Sequence, residues 1–206
     1  MKALRFLWHA LAIVGLLAIA GGLWFAGKGV TAKPVPGPVE TRLSRAARHY
    51  LIPAAARART SPQPATPETL REGLEHWADH CASCHGNDGA GQTAIGQGLY
   101  PKAPDMRLPD TQSLSDGELF YIIEEGVKIT GMPAWGTGTP EGEAASWHLV
   151  QFIRHLPTLS EEDLARMEEL NPRSRADWQA YEEERKFLSG TLDVPAGAPP
   201  APGHHH

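Results

Sequence analysis

The sequence predicts an all-α protein, on three observations. Apolar residues recur at helical spacing in several separate stretches, for example Leu70, Leu74, Trp77 and Cys81. Those stretches open on Thr or Ser and close on Gly or Pro, the residues that start and stop helices. No stretch alternates polar and apolar residues convincingly enough to predict a strand.

The first element is the N-terminal segment "MKALRFLWHALAIVGLLAIAGGLWFAGKG", apolar from Phe6 to Ala26 except at His9. Its 21 residues would span about 31 Å as a helix, close to the hydrocarbon thickness of a bilayer. Ala18–Ala20 offer a small-residue cleavage site, but Leu23, Trp24 and Phe25 keep the run apolar beyond it. Residues 1–27 are therefore read as an uncleaved signal-anchor, with membrane contact through residues 6–26 and the rest of the chain exported. One count opposes this orientation: Lys28, Lys33, Arg42 and Arg45 after the span outnumber Lys2 and Arg5 before it.

Residues 28–65 read as a basic Pro/Ala-rich linker. Within it "ETRLSRAARHYL" gathers Leu43, Ala47, Tyr50 and Leu51 on one helical face. These side chains suggest that residues 40–53 form a helix packed on the domain that follows, with lipid headgroups as the alternative seat.

Residues 66–158 form the expected compact domain. Thr66 and Pro67 start one helix, and Gly86 with "GNDGAG" stops it. Residues 86–113 carry no sustained periodicity and read as a long loop, which suggests that they wrap something. Ser115 and Glu118 make a capping-box pattern ahead of Leu119, Ile122, Ile123 and Val127. Thr139 and Pro140 open a third helix with Trp147, Val150, Phe152 and Ile153 inward, ending at Pro157. Ser160 and Ser174 cap two helices of an extension over residues 159–190. Residues 191–206 read as a disordered tail; His204–His206 at its end suit either a tag remnant or a metal-binding tract.

Charge narrows the function. Residues 28–60 hold seven basic side chains against Glu40 alone, whereas the chain from residue 61 onward holds ten basic and 23 acidic residues. A body with a net charge of −13 has nothing to neutralise phosphates, so nucleic acid is not an expected partner.

The two cysteines of the chain, Cys81 and Cys84, stand in "HCASCHGNDGAG". A disulfide there would close a tiny loop and remove little chain entropy. A reactive dithiol wants a helix N-terminus, and this pair lies at a predicted C-terminus. A structural zinc needs four ligands, and His85 is the single nearby third. C-x-x-C-H is the attachment signature of c-type haem. On that reading Cys81 and Cys84 form the thioethers of one covalent haem c, and His85 binds the iron. A large macrocycle would also fill the thin core that three short helices make by themselves.

Three segments, "GLEHWADHCASCHGNDGAG", "LSDGELFYIIEEGVKITGMPAWG" and "WHLVQFIRHLP", resemble in order the signature regions of single-haem class I cytochromes c. The resemblance covers about residues 67–157. It implies the class I cytochrome c fold around one haem, crossing terminal helices, and a methionine as sixth ligand. Met132, between Gly131 and Pro133, matches the family's methionine position; Met106 in "APDMRLP" is the alternative, and Met167 reads as core filler. Tyr100, Pro104 and Trp135 are candidates to line the haem, and Arg107 to pair with a propionate. His76, His80, His148 and His155 read as solvated or capping residues.

Iron held by His85 and Met132 has no open position, and methionine ligation raises its potential. The expected function is a membrane-tethered electron carrier, not an enzyme, on the periplasmic side of the cytoplasmic membrane. Its partners would be redox proteins with a basic docking surface. A haem subunit of a respiratory complex is the first alternative. A peroxidase or gas-binding protein is the second, should Met132 leave the iron free.

Overall fold

The computed structural model describes residues 2–27, 29, 31–172 and 175–189. The cap expected at Ser174 and the tail 191–206 with its histidines lie outside the described residues. Every regular element among them is helical.

α1 (Lys2–Gly27) is one unbroken helix with its large apolar side chains exposed. Its segment Arg5–Gly27, with a mean hydropathy of 2.1, is long and apolar enough to cross a membrane. Helices of this kind near an N-terminus serve both as anchors and as signal sequences.

The core is built by α4 (Pro67–His76), α8 (Asp116–Glu125) and α9 (Pro140–His155). Their starts are the predicted ones. The hydroxyls of Thr66, Ser115 and Thr139 accept the backbone N–H groups of Thr69, Glu118 and Gly142. α4 and α9 cross so closely that a Cβ on Gly73 would lie 2.4 Å from the His148 carbonyl oxygen. Any larger residue there would push the two helices apart. Trp77, Val150, Phe152, Leu156 and Met167 are the most completely buried side chains, and Phe120 stacks on Trp147 at 4.2 Å.

Three features depart from the expected helices. The helix from Pro67 to His85 is not uniform: a π-helical turn, Trp77–Cys81, separates α4 from α5 (Ala82–His85). The loop over residues 86–113 contains two short helices, α6 (Ala94–Gly98) and α7 (Pro109–Gln112), opened by Thr93 and Pro109. α10 (Glu161–Leu170) sends Met167 into the same core as α4 and α9. Its C-cap, Asn171, donates to the Ala78 carbonyl at 2.8 Å and exchanges amide hydrogen bonds with Asn87. α11 (Arg175–Leu188) follows.

The basic arm is docked, but not by the expected face. α2 (Pro38–Leu51) leaves Leu43, Tyr50 and Leu51 exposed at 66%, 82% and 78%. It meets the domain through polar side chains instead. Arg45 forms a fork with the Asp110 carboxylate, and the Tyr100 hydroxyl donates to Glu40 at 2.5 Å. His49 Nδ1 lies 3.2 Å from Glu118 Oε1, while Arg57 donates to the His49 carbonyl at 2.9 Å. The apolar share comes from Ile52, buried at the end of α2, and from α3 (Ala54–Arg57). α3 lies so near the start of α8 that a Cβ on Gly117 would sit 2.1 Å from the Ala56 carbonyl oxygen. Arg59 closes the strap, its guanidinium 4.2 Å over the Phe120 ring and 3.0 Å from Glu143.

Candidate haem site

Cys81, Cys84 and His85 come from the π-turn and α5, where α4 would otherwise have continued as a plain helix. π-turns of this kind often sit at functional sites, because the added residue re-aims the side chains that follow. The segment is fixed from below. Trp77 Nε1 donates to the Gly86 carbonyl at 3.0 Å, and Thr93 donates to the Cys84 carbonyl at 3.0 Å. α6 then packs directly on this turn: a Cβ on Gly96 would meet the Cys84 carbonyl oxygen at 2.2 Å. Gly86 and Gly91, with φ of 76° and 70°, take the left-handed backbone that lets the chain double back under α5.

The two cysteines are not joined to each other, and each is half-buried. Burial pushes the Cys81 thiol up to about 12, and the neighbouring Cys84 adds to the effect. A thiol held protonated is a poor nucleophile, which weighs against Cys81 as the attacking thiol of a redox dithiol. Among the described residues no group of three or more His, Cys, Asp or Glu side chains is arranged to hold a metal ion, which weighs against the zinc reading.

His85 fits an iron ligand on two counts. Burial lowers its pKa, so the imidazole is neutral near pH 7, the form that binds metal. Its Nδ1 is buried without a hydrogen-bond partner, one of three such side-chain atoms among the described residues. A buried polar atom left unpaired in the protein costs about 1–3 kcal/mol, so a ring with no protein partner points to a ligand that is not protein. The Trp77 ring flanks it, the centroids 5.7 Å apart.

The Met132 turn meets the residue after α6 at one end and the π-turn at the other. Gly131 comes close enough to α6's neighbour that a Cβ on it would meet Leu99 Cδ2 at 2.6 Å. At the other end the Trp135 ring is 5.2 Å from the His80 ring, on the π-turn itself. Between them Met132 is half-buried. The turn is anchored to α8 by the Trp135 and Gly136 N–H groups, which donate to the Ile123 and Glu124 carbonyls at 3.0 Å each, and it is closed on itself by Val127 N–H, which donates to the Met132 carbonyl at 3.1 Å. Thr130 completes it, donating to the Val127 carbonyl and accepting the Met132 N–H. Ile129 takes a φ of 62° there, a left-handed conformation that a β-branched residue adopts only at a cost. Met106 lies differently. It packs against the hydrophobic core, its N–H bonded to the Gly89 carbonyl at 2.8 Å.

Residues 68–153 match the family described as cytochrome C oxidase, cbb3-type, subunit III. They form a cytochrome c domain. No curated protein matches the chain. The cofactor of this cytochrome c domain is haem c, and the C-x-x-C spacing of Cys81 and Cys84 is consistent with its covalent attachment.

The remaining candidates divide. Trp135 and Tyr100 are about one-third exposed, but the Tyr100 hydroxyl is committed to Glu40. Pro104 is exposed. Arg107 is not free for a propionate: it pairs with Asp105 at 2.8 Å and Asp88 at 3.2 Å. His148 is mostly buried and lies 2.8 Å from Glu72, not solvated as expected, because α4 and α9 press it between them. His80 is likewise held, between Trp135 and His76. Sequence reasoning takes Asn171 only as a helix stop with Pro172 and misses that, held by Asn87, it braces the π-turn from the end of α10.

Proposed function

We propose that the chain carries one electron at a time between redox partners outside the cytoplasm, as a membrane-tethered single-haem cytochrome. Cys81 and Cys84 would hold the haem, and His85 and Met132 would ligate its iron. The observation that carries this is the seating of the Met132 turn, with Leu99 at one end and the π-turn's His80 at the other. Bound by these residues, the haem would supply one reversible electron, and methionine ligation would raise its potential.

The protein's own residues do the rest. The neutral, buried His85 needs no proton release to bind iron. The hydrogen bonds from the Met132 turn to α8 hold the thioether's loop in place, so a change of oxidation state requires little rearrangement. Trp77, itself packed on Phe152 with ring centroids 5.7 Å apart, backs the imidazole with apolar surface. α1 would tether the domain to the cytoplasmic membrane, facing the periplasm. The acidic body would favour partners with a basic docking patch.

A second reading, a subunit of a larger oxidase, is supported by the description of the matched family. Solubilising native membranes in mild detergent separates the two. A carrier migrates alone at the size of one 22.3 kDa chain plus detergent, whereas a subunit co-migrates with other redox proteins. The carrier itself is tested by mixing the reduced protein with a basic oxidised cytochrome. Rapid one-electron exchange that slows as salt is raised is expected, and exchange indifferent to salt would contradict the acidic docking surface.

A further inference from the structure

α2 is inside out. Its polar side carries Thr41, Arg45, Arg48 and His49, with Ile52 following, and this is the side turned to the cytochrome domain. Val39, Leu43, Tyr50 and Leu51 lie on the opposite side, and each is at least two-thirds exposed. Val35, in the segment leading into the helix, is exposed as well. A surface helix of a soluble domain turns its apolar stripe inward and its charges outward. Here the charged face already meets the domain surface, and the apolar face, apart from the Tyr50 ring against His49 of the same helix, is left exposed.

We infer that this face lies in the headgroup layer of the bilayer that α1 enters, and so fixes how the cytochrome domain stands on the membrane. The inference rests on the tethered reading of α1. Three observations select lipid over a protein. Ten residues separate Gly27 from Pro38, and even fully extended they reach at most about 33–36 Å. A spanning α1 therefore keeps α2 within reach of the membrane surface. The flank of the apolar face is basic: Arg42 is exposed and makes no ion pair with a described carboxylate, and Lys33 lies just upstream. A helix with basic residues beside an apolar face, lying in the interface plane, is the ordinary form of a membrane-surface segment. Tyr50 has the amphipathic ring that settles at headgroup level.

The consequence is orientation. Arg45, His49 and Ile52 bind α2 to α7, α8 and their surroundings. An α2 fixed flat on the lipid would therefore present one side of the cytochrome domain to membrane-bound partners and hold the opposite side away.

The test uses the full-length holoprotein in phosphatidylethanolamine/phosphatidylglycerol vesicles. With both native cysteines in thioether bonds, single nitroxide labels can be placed by Leu43→Cys, Tyr50→Cys and, as a reference on α10, Glu161→Cys. The haem is kept reduced so that its iron is diamagnetic. Flotation of the vesicles is read first, then the collision of each label with oxygen against a water-soluble nickel chelate. The expected result is a protein that floats, with the oxygen-to-nickel ratio at 43 and 50 several-fold above that at 161. Adding Leu43→Glu to the label at 50 should return that ratio to the reference value. A protein that fails to float removes the tether and the inference with it. A protein that floats with labels 43 and 50 as wet as 161 keeps the tether and overturns the lipid seat. Protection that arises only when a membrane protein is added assigns the face to that protein and also overturns it.

Discussion

α2 and α9 carry the same kind of signal, apolar residues at helical spacing, and the structure uses it in opposite ways. In α9 the stripe of Trp147, Val150 and Ile153 is buried against α4 and α8, and Glu141 and Glu143 are exposed. In α2 the stripe of Val39, Leu43 and Tyr50 is exposed, and Arg45 and His49 are pressed against the domain. Periodicity says that a helix has two faces. It does not say which face meets protein, because that depends on the other surfaces available. For α9 that surface is the core of its own domain. For α2 a second apolar medium competes for the stripe, and carboxylates on the domain compete for the charges.

The largest expected effect lies on the inward side. Replacing Cys81 and Cys84 by serine should leave almost no haem-loaded protein, measured by covalent haem on a denaturing gel, because the domain's core is completed by the cofactor. An unchanged yield of covalent haem would contradict the attachment. Next is Phe152→Ala, which empties a fully buried position and should cost about 3–5 kcal/mol in denaturant unfolding.

Much of this inward half was legible. Thr66, Ser115, Thr139 and Ser160 start helices because a hydroxyl at the N-cap satisfies an amide locally, whatever the tertiary structure does. C-x-x-C-H was equally local, since Cys81, Cys84 and His85 are close neighbours in the chain. The π-turn was not legible: it depends on packing and on Asn171 reaching back from α10 to the Ala78 carbonyl. Nor were α6 and α7, whose few residues hold too little periodicity to register. The arm misled because Ile52, its one well-buried apolar side chain, lies just past the predicted stripe and beside Pro53.

A smaller effect tests the polar contact of α2. Burial pushes the Glu118 carboxyl up, but the Ser115 N–H and His49 outweigh it and hold the carboxyl below its ordinary value. A depressed carboxylate contributes stability that is fully present above its ordinary pKa of 4.5 and lost as pH falls through the lower folded value. Glu118→Gln should therefore cost about 1.5–3 kcal/mol at pH 7. It should also flatten the acid limb of a melting-temperature profile. An acid limb as steep as in the native chain would show that Glu118 does not hold the arm.

The smallest effect sharpens the comparison most. Leu43→Ala should change the stability of the detergent-solubilised protein by no more than about 0.5 kcal/mol, against several for Phe152→Ala. A loss of about 2–5 kcal/mol, the range for a buried leucine, would mean that the face packs on protein.

The reading of the inward half ends at the iron, and the sulfur–iron charge-transfer band of the oxidised full-length protein tests it most directly. The native chain and Met106→Ala should show the band, and Met132→Ala should lose it, bind cyanide quickly and fall in reduction potential. A band that survives Met132→Ala and disappears in Met106→Ala would contradict the account.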